Sequence, residues 1–201
     1  MGTALLIMDM QEIVVERWAP DAAPVLRAIS RALTAARHAG IDIVFVKLEI
    51  RLDRQSIGRL NGTMSALARE GILTERSSSG SIVAALSPKA RETVVVKRRL
   101  SAFVGSDLDL ILRAKGIDTI VLTGVGTGGV VLSTMRDAID RDYRVIVLRD
   151  GCTDAEPEVH EFLVGRVFPR HGEVTSTDEW ALRATRTRAT PRSGSELSRP
   201  T

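Results

Sequence analysis

The chain has 201 residues, 44% of them apolar and only 3% aromatic, which suits one α/β domain with a core of Val, Ile, Leu and Ala. The formal charge of +3 sits at the C-terminal end: Arg183 to Thr201 hold five Arg and one Glu, a net of +4 that leaves −1 for the rest, so the body carries no basic face for nucleic acid. One cysteine, Cys152, excludes an internal disulfide and a multi-cysteine metal site, and no apolar run has the length of a membrane span. The apolar run Thr3 to Met8 is broken by Asp9 too early for a signal peptide, so a soluble, cytoplasmic protein is expected.

In chain order, Ala4 to Met8 reads as a short buried strand ending at Asp9. Asp21 is placed to cap a helix in which Val25, Ala28, Ile29, Ala32, Leu33 and Ala36 repeat at helical spacing, and Gly40 stops it. Ile41 to Val46 is a second strand. Residues 49–81 are less regular, with a helix within Leu60 to Leu73 and a polar loop at Ser77 to Gly80, the kind of long connection that serves as a lid or subunit contact. Thr93 to Val96 is a third strand ending at Lys97, and Leu108 to Ala114 a helix closed by Gly116. Ile120 to Thr123 and Arg144 to Leu148 are the fourth and fifth strands, the latter ending at Asp150. A helix over Glu156 to Arg166 and a last strand at Val174 and Thr175 follow. Repeated β–α units predict a doubly wound, mostly parallel sheet with helices on both faces and strand order 3-2-1-4-5-6. Residues 1–182 form the single folded domain in this reading. Residues 183–201, basic and without apolar periodicity, form a disordered tail.

The most informative stretch is TIVLTGVGTGGVVLSTMRDA, Thr119 to Ala138. Strand, glycine turn and helix is how an α/β sheet offers backbone N–H groups to a ligand at the carboxyl ends of its strands. The turn has no Ser, Cys or His at its apex, and so no nucleophile. It lacks the lysine of a phosphate-binding loop, and it opens the fourth β–α unit where a dinucleotide fingerprint would open the first. Asp9 and Lys97 end two other strands. Each alone would be a turn cap or a solvated charge; together with the glycine turn they define a candidate site. His38 falls on the first helix next to Gly40 and reads as a surface residue, and His160 and His171 have no carboxylate or His partner at ligand spacing.

Three segments now carry a resemblance. LLIMDMQ at Leu5 to Gln11, VVKRRLSAF at Val95 to Phe103 and GVGTGGVVLSTMRDA at Gly124 to Ala138 resemble the signature segments of the isochorismatase-like hydrolase superfamily, and the likeness spans roughly Ala4 to Thr175. In its amidase members the resemblance implies an Asp–Lys–Cys triad, matched by Asp9 and Lys97, with Val130 in the place of the cysteine. An amidase of that kind needs a thiolate, which Val130 does not supply. The resemblance further implies oxyanion donors at the N–H groups of Gly129 and Val130 and a cis peptide at Val125–Gly126. Isochorismate-type members lack the cysteine as well: they carry Gly there and cleave a vinyl ether with the aspartate as general acid. The metal-binding members place one Asp and two His after the second strand, where KLEIRLDRQ holds no His, so no zinc and no other cofactor is expected.

The expected function is therefore thiol-free hydrolysis of a small molecule by Asp9 and Lys97. Gln11, Arg51, Arg98, Thr127 and Gly128 join as substrate-binding positions, and the arginines suit a substrate carboxylate. Alternatives are a catalytically silent small-molecule binder of the same fold and, more weakly, a water-using amidase. Cys152 reads as a small buried turn residue, not a displaced nucleophile. A homo-oligomer is expected, with residues 49–81 or the helix Val131 to Ile139 at its interface.

Overall fold

Six strands form one sheet: β1 (Gly2–Met8), β2 (Asp42–Leu48), β3 (Thr93–Lys97), β4 (Ile117–Val125), β5 (Arg144–Thr153) and β6 (Glu173–Thr175). Every pairing is parallel and the order is β3-β2-β1-β4-β5-β6, as the β–α alternation predicts. The structure is a computed structural model and describes residues 2–51, 53, 56–75 and 77–189. Among the described residues the α-helices are α1 (Glu12–Trp18), α2 (Ala22–Ala39), α3 (Gly62–Glu70), α4 (Leu108–Ala114), α5 (Leu132–Ile139), α6 (Pro157–Phe162) and α7 (Thr177–Ala189).

A parallel sheet is covered on both faces, so its strands are apolar at successive positions. On β1, Ala4, Leu6 and Met8 point to one face, where Leu108 and Leu112 of α4, Val131 and, on α5, Met135 and Ala138 pack. Leu5 and Ile7 point to the other, against Val25, Ile29, Ala32 and Leu33 of α2 and Trp180 of α7. Gly40 ends α2 in the left-handed conformation at φ 69°, its N–H donating to Ala36 O. Asp21 stands at the cap position of α2, yet its side chain makes no capping hydrogen bond.

Two further expectations change. β5 does not end at Asp150: after a register shift it resumes pairing, Gly124 beside Cys152 and Val125 beside Thr153. Asp150 instead accepts from the N–H of Thr177 at 2.7 Å and its hydroxyl at 2.9 Å, capping α7. That cap, buried Trp180 and an Arg183–Glu173 ion pair at 2.5 Å hold a helix that reaches Ala189. The folded body therefore passes residue 182, and the rest of the expected tail, 190–201, lies outside the described residues. None of the helices is long and apolar enough to cross a membrane, among the described residues.

Candidate active site

The register of the sheet builds the site. Met8, the last residue of β1, lies beside Val46 of β2 and Gly124 of β4, while Lys97 on β3 lies beside Leu48. β3 and β1 are two strand spacings apart, about 9–10 Å, a gap that a lysine can bridge to a carboxylate. Asp9 takes φ 55°, and its N–H donates to Val46 O at 2.8 Å, which turns the chain at the strand end. Asp is among the few types that tolerate that conformation. Gly124, at φ 141°, allows β4 to pass: a Cβ there would lie 2.1 Å from Met8 O.

Asp9 and Lys97 form a buried ion pair, Nζ to Oδ2 at 2.9 Å, with the lysine side chain wholly enclosed. The ammonium also donates to Arg99 O at 3.0 Å and Leu100 O at 2.8 Å, so its three protons are all engaged. Asp9 is different. Its Oδ1 is buried and has no hydrogen-bond partner among the described residues. Burial pushes the Asp9 carboxyl above the ordinary aspartate range, and the charge and hydrogen bond of Lys97 oppose that without cancelling it.

The two residues line a cavity of about 240 Å³ whose walls include Val14, Trp18, Leu48, Met64, Leu67, Leu73 and Leu100, with Gly126, Gly129, Val130 and Asp154 on the turn side. That lies below the ~300 Å³ at which sites for drug-sized ligands begin. Val130, 2% exposed, puts an isopropyl group on the wall where the motif resemblance places the amidase cysteine. The Val125–Gly126 peptide is cis, as that resemblance implies. The turn continues as a wide helical turn, Thr127–Val131, into α5. Within it the N–H of Gly129 donates to Gly126 O at 3.2 Å.

None of the five expected substrate-binding positions lines the cavity. Gln11 is fully buried and braces the backbone: its amide donates to Leu48 O and Gly80 O and accepts from the Leu48 N–H. Arg51 is exposed and paired with Asp53. Arg98 donates to Glu49 O and pairs with Glu75 at 3.3 Å, and Arg99 donates to the carbonyls of Arg98 and Ser56. Arg51 and Arg98 are thus engaged by protein groups away from the cavity wall. Thr127 is buried, its hydroxyl hydrogen-bonded to His160 Nδ1 at 2.8 Å, and the Gly128 N–H donates to Asp154 Oδ2 at 2.7 Å. His160 is thus part of the turn's support.

Asp154, Trp18 and the α3 residues Thr63, Met64 and Leu67 were not singled out in the sequence. Asp154 was masked by the early end assigned to the fifth strand; the signal available was a second Asp four residues on, in DGCTD. Cys152 lies in the core with Sγ 3.8 Å from Leu122 O, and burial pushes its thiol up to about 12, which suits a packing residue. Among the described residues no group of three or more His, Cys, Asp or Glu is placed to hold a metal ion.

A parallel sheet of this order brings Asp9 and Lys97 together at the carboxyl ends of its strands, the edge at which open α/β sheets bind ligands. The chain belongs to the isochorismatase family: the isochorismatase domain matches residues 3–179. It is 40% identical over 82 residues to the uncharacterized isochorismatase family protein YecD of Escherichia coli O157:H7, a match covering 41% of this chain and 44% of that protein. A longer match, 31% identical over 177 residues, joins it to the ureidoacrylate amidohydrolase RutB of Methylorubrum extorquens and covers 78% of this chain and 71% of RutB. The crystal structure of a cysteine hydrolase from Pseudomonas syringae pv. phaseolicola superposes with a TM-score of 0.82 at 28% identity, covering 92% of this chain and 93% of that one. The chain is thus related over most of its length to hydrolases.

Proposed function

We propose that this protein hydrolyses a small molecule by general acid catalysis, with Asp9 as the proton donor, Lys97 as its counter-charge and no covalent thiol intermediate. The observation that carries the reading is the buried Oδ1 of Asp9, which has no partner among the described residues and belongs to a residue lining the cavity. A carboxyl raised by burial keeps its proton to higher pH, and a lysine at 2.9 Å stabilises the carboxylate once the proton has left. A vinyl ether fits this chemistry. Asp9 protonates the enol carbon, the C–O unit becomes an oxocarbenium ion, and water adds to it. The hemiketal then collapses to a carbonyl compound and an alcohol as Asp9 recovers a proton. No step needs a side chain that attacks, and Val130 offers none.

Val130 itself favours a second reading, a silent binder. Screening the purified protein against vinyl ethers, amides and small acids by mass spectrometry separates the two. Turnover that Asp9→Asn abolishes and iodoacetamide leaves intact supports the acid mechanism. Thiol-dependent turnover refutes it, and binding without turnover in any class gives the site to the silent binder.

A further inference from the structure

The cavity has a second carboxylate that the acid mechanism does not use. Asp154, just past the end of β5, reaches over the glycine turn onto the cavity wall. The space it occupies is made by the turn itself: at Gly126 the three nearest atoms a Cβ would meet all belong to Asp154, the closest, Oδ2, at 2.9 Å. The carboxylate is held by backbone donors, the N–H of Gly128 at 2.7 Å and, at the limit of a hydrogen bond, the N–H of Glu156 at 3.5 Å. No lysine or arginine pairs with it among the described residues. Its titratable neighbour is His160, whose charged form burial disfavours.

Facing Asp154 are Asp9 and Lys97, whose charges offset each other, and apolar walls that include Trp18, Leu67 and Leu73. The Lys97 ammonium has no proton left to give a ligand. The open hydrogen-bonding capacity of the charged side chains on the cavity wall is thus acceptor capacity, with one uncompensated negative charge. A desolvated anion placed there would meet the like charge of Asp154, whereas a cationic nitrogen would form a charge-assisted hydrogen bond with it.

We propose that Asp154 is a specificity-determining residue that selects small substrates bearing a cationic nitrogen, an ammonium or an amidinium, and turns carboxylates away. This rests on the preceding reading only in taking the Asp9–Lys97 cavity as the substrate site.

Calorimetry on the full chain at neutral pH with pentylamine, pentanol and pentanoate tests it, since the three share an apolar tail and differ in charge. Pentylamine should bind more tightly than either by about 10- to 100-fold, the worth of a hydrogen bond to a charged group. Asp154→Asn, whose side-chain oxygen still accepts from the Gly128 N–H, should remove that preference, and Asp9→Asn should retain it. Equal affinities, tighter pentanoate, or no binding of pentylamine at millimolar concentration overturns the proposal. So does a preference that survives Asp154→Asn and disappears in Asp9→Asn. Should Asp154→Asn not fold, the wild-type amide resonances of Gly126 to Gly128 decide: they should shift with pentylamine and stay unmoved by pentanol. An amine preference without hydrolysis of any compound leaves Asp154 in place and refutes the acid mechanism alone. Hydrolysis lost in Asp9→Asn without an amine preference does the reverse.

Discussion

The sign of the pH dependence distinguishes Asp9 as an acid from Asp9 as a base. Its carboxyl is raised by burial, and Lys97, which touches it, opposes that rise. If the protonated carboxyl does the chemistry, kcat/KM is level below the raised value and falls as pH climbs through it, by about tenfold per pH unit because one proton is involved. If the carboxylate were activating water, as in a water-using amidase, the same limb would rise. Asp9→Asn keeps the shape and removes the proton donor, so it should cost about a hundred- to ten-thousand-fold, the range general acid catalysis supplies. Single-turnover rates across a pH series on a substrate from the screen measure both. A loss of activity toward acid pH, or an Asp9→Asn variant with nearly full activity, would refute the assignment.

Lys97→Met leaves the Asp9 carboxylate buried without its counter-charge, a loss of about 3–5 kcal/mol at neutral pH. Burial alone then acts on Asp9, its folded-state value rises above the already raised wild-type value, and the deficit relative to the wild type grows with pH by about 1.4 kcal/mol per unit between those two values. Urea denaturation should find the deficit shrinking as pH approaches 3.8, and a pH-independent deficit would contradict the electrostatic account. Cys152→Ser should leave kcat/KM nearly unchanged and iodoacetamide should modify the native chain slowly, since the thiol is 4% exposed and raised to about 12; fast alkylation with inactivation would reverse the mechanism. Light scattering at micromolar concentration should give a homo-oligomer, with Leu60→Glu or Val104→Glu weakening it, because Leu60, Leu100 and Val104 are exposed apolar side chains in or near the segment joining β2 to α4. A monomeric wild type would refute that.

The sheet was legible because parallel strands buried on both faces show as apolar runs, and the helices between them as repeats like that of α2. The pairing of Asp9 with Lys97 was legible because both stand where such runs end, at one edge. What escaped the sequence is non-local. α7 has few apolar residues and depends on a cap from Asp150 and on burying Trp180, both decided by a neighbouring strand. α1 spans only seven residues, too short for a periodicity to register. The charge of Arg98 does not reveal its partner, the carbonyl of Glu49, which only the fold brings near. Asp154 reaches the site because β5 shifts register and continues past Asp150, an irregularity that no local pattern announces.

The energetics of the pair give the site its direction. Burying two ions in apolar walls is unfavourable enough that apolar residues of equal volume would often serve the fold as well or better, by about 1–4 kcal/mol. A buried acceptor without a donor adds about 1–3 kcal/mol more. Lys97 is fully satisfied, so that second cost falls on Asp9 Oδ1 alone. Two events relieve it: a proton on the carboxyl, or a donor on a ligand in the cavity. The first makes Asp9 an acid; the second draws in a molecule with an N–H or O–H to give. A substrate nitrogen held at Asp154 would leave the rest of the molecule in the cavity that Asp9 and Val130 line, where the carboxyl has a proton to give and Val130 offers no nucleophile. The same geometry that makes this carboxyl costly to the fold makes its proton available to whatever the cavity holds.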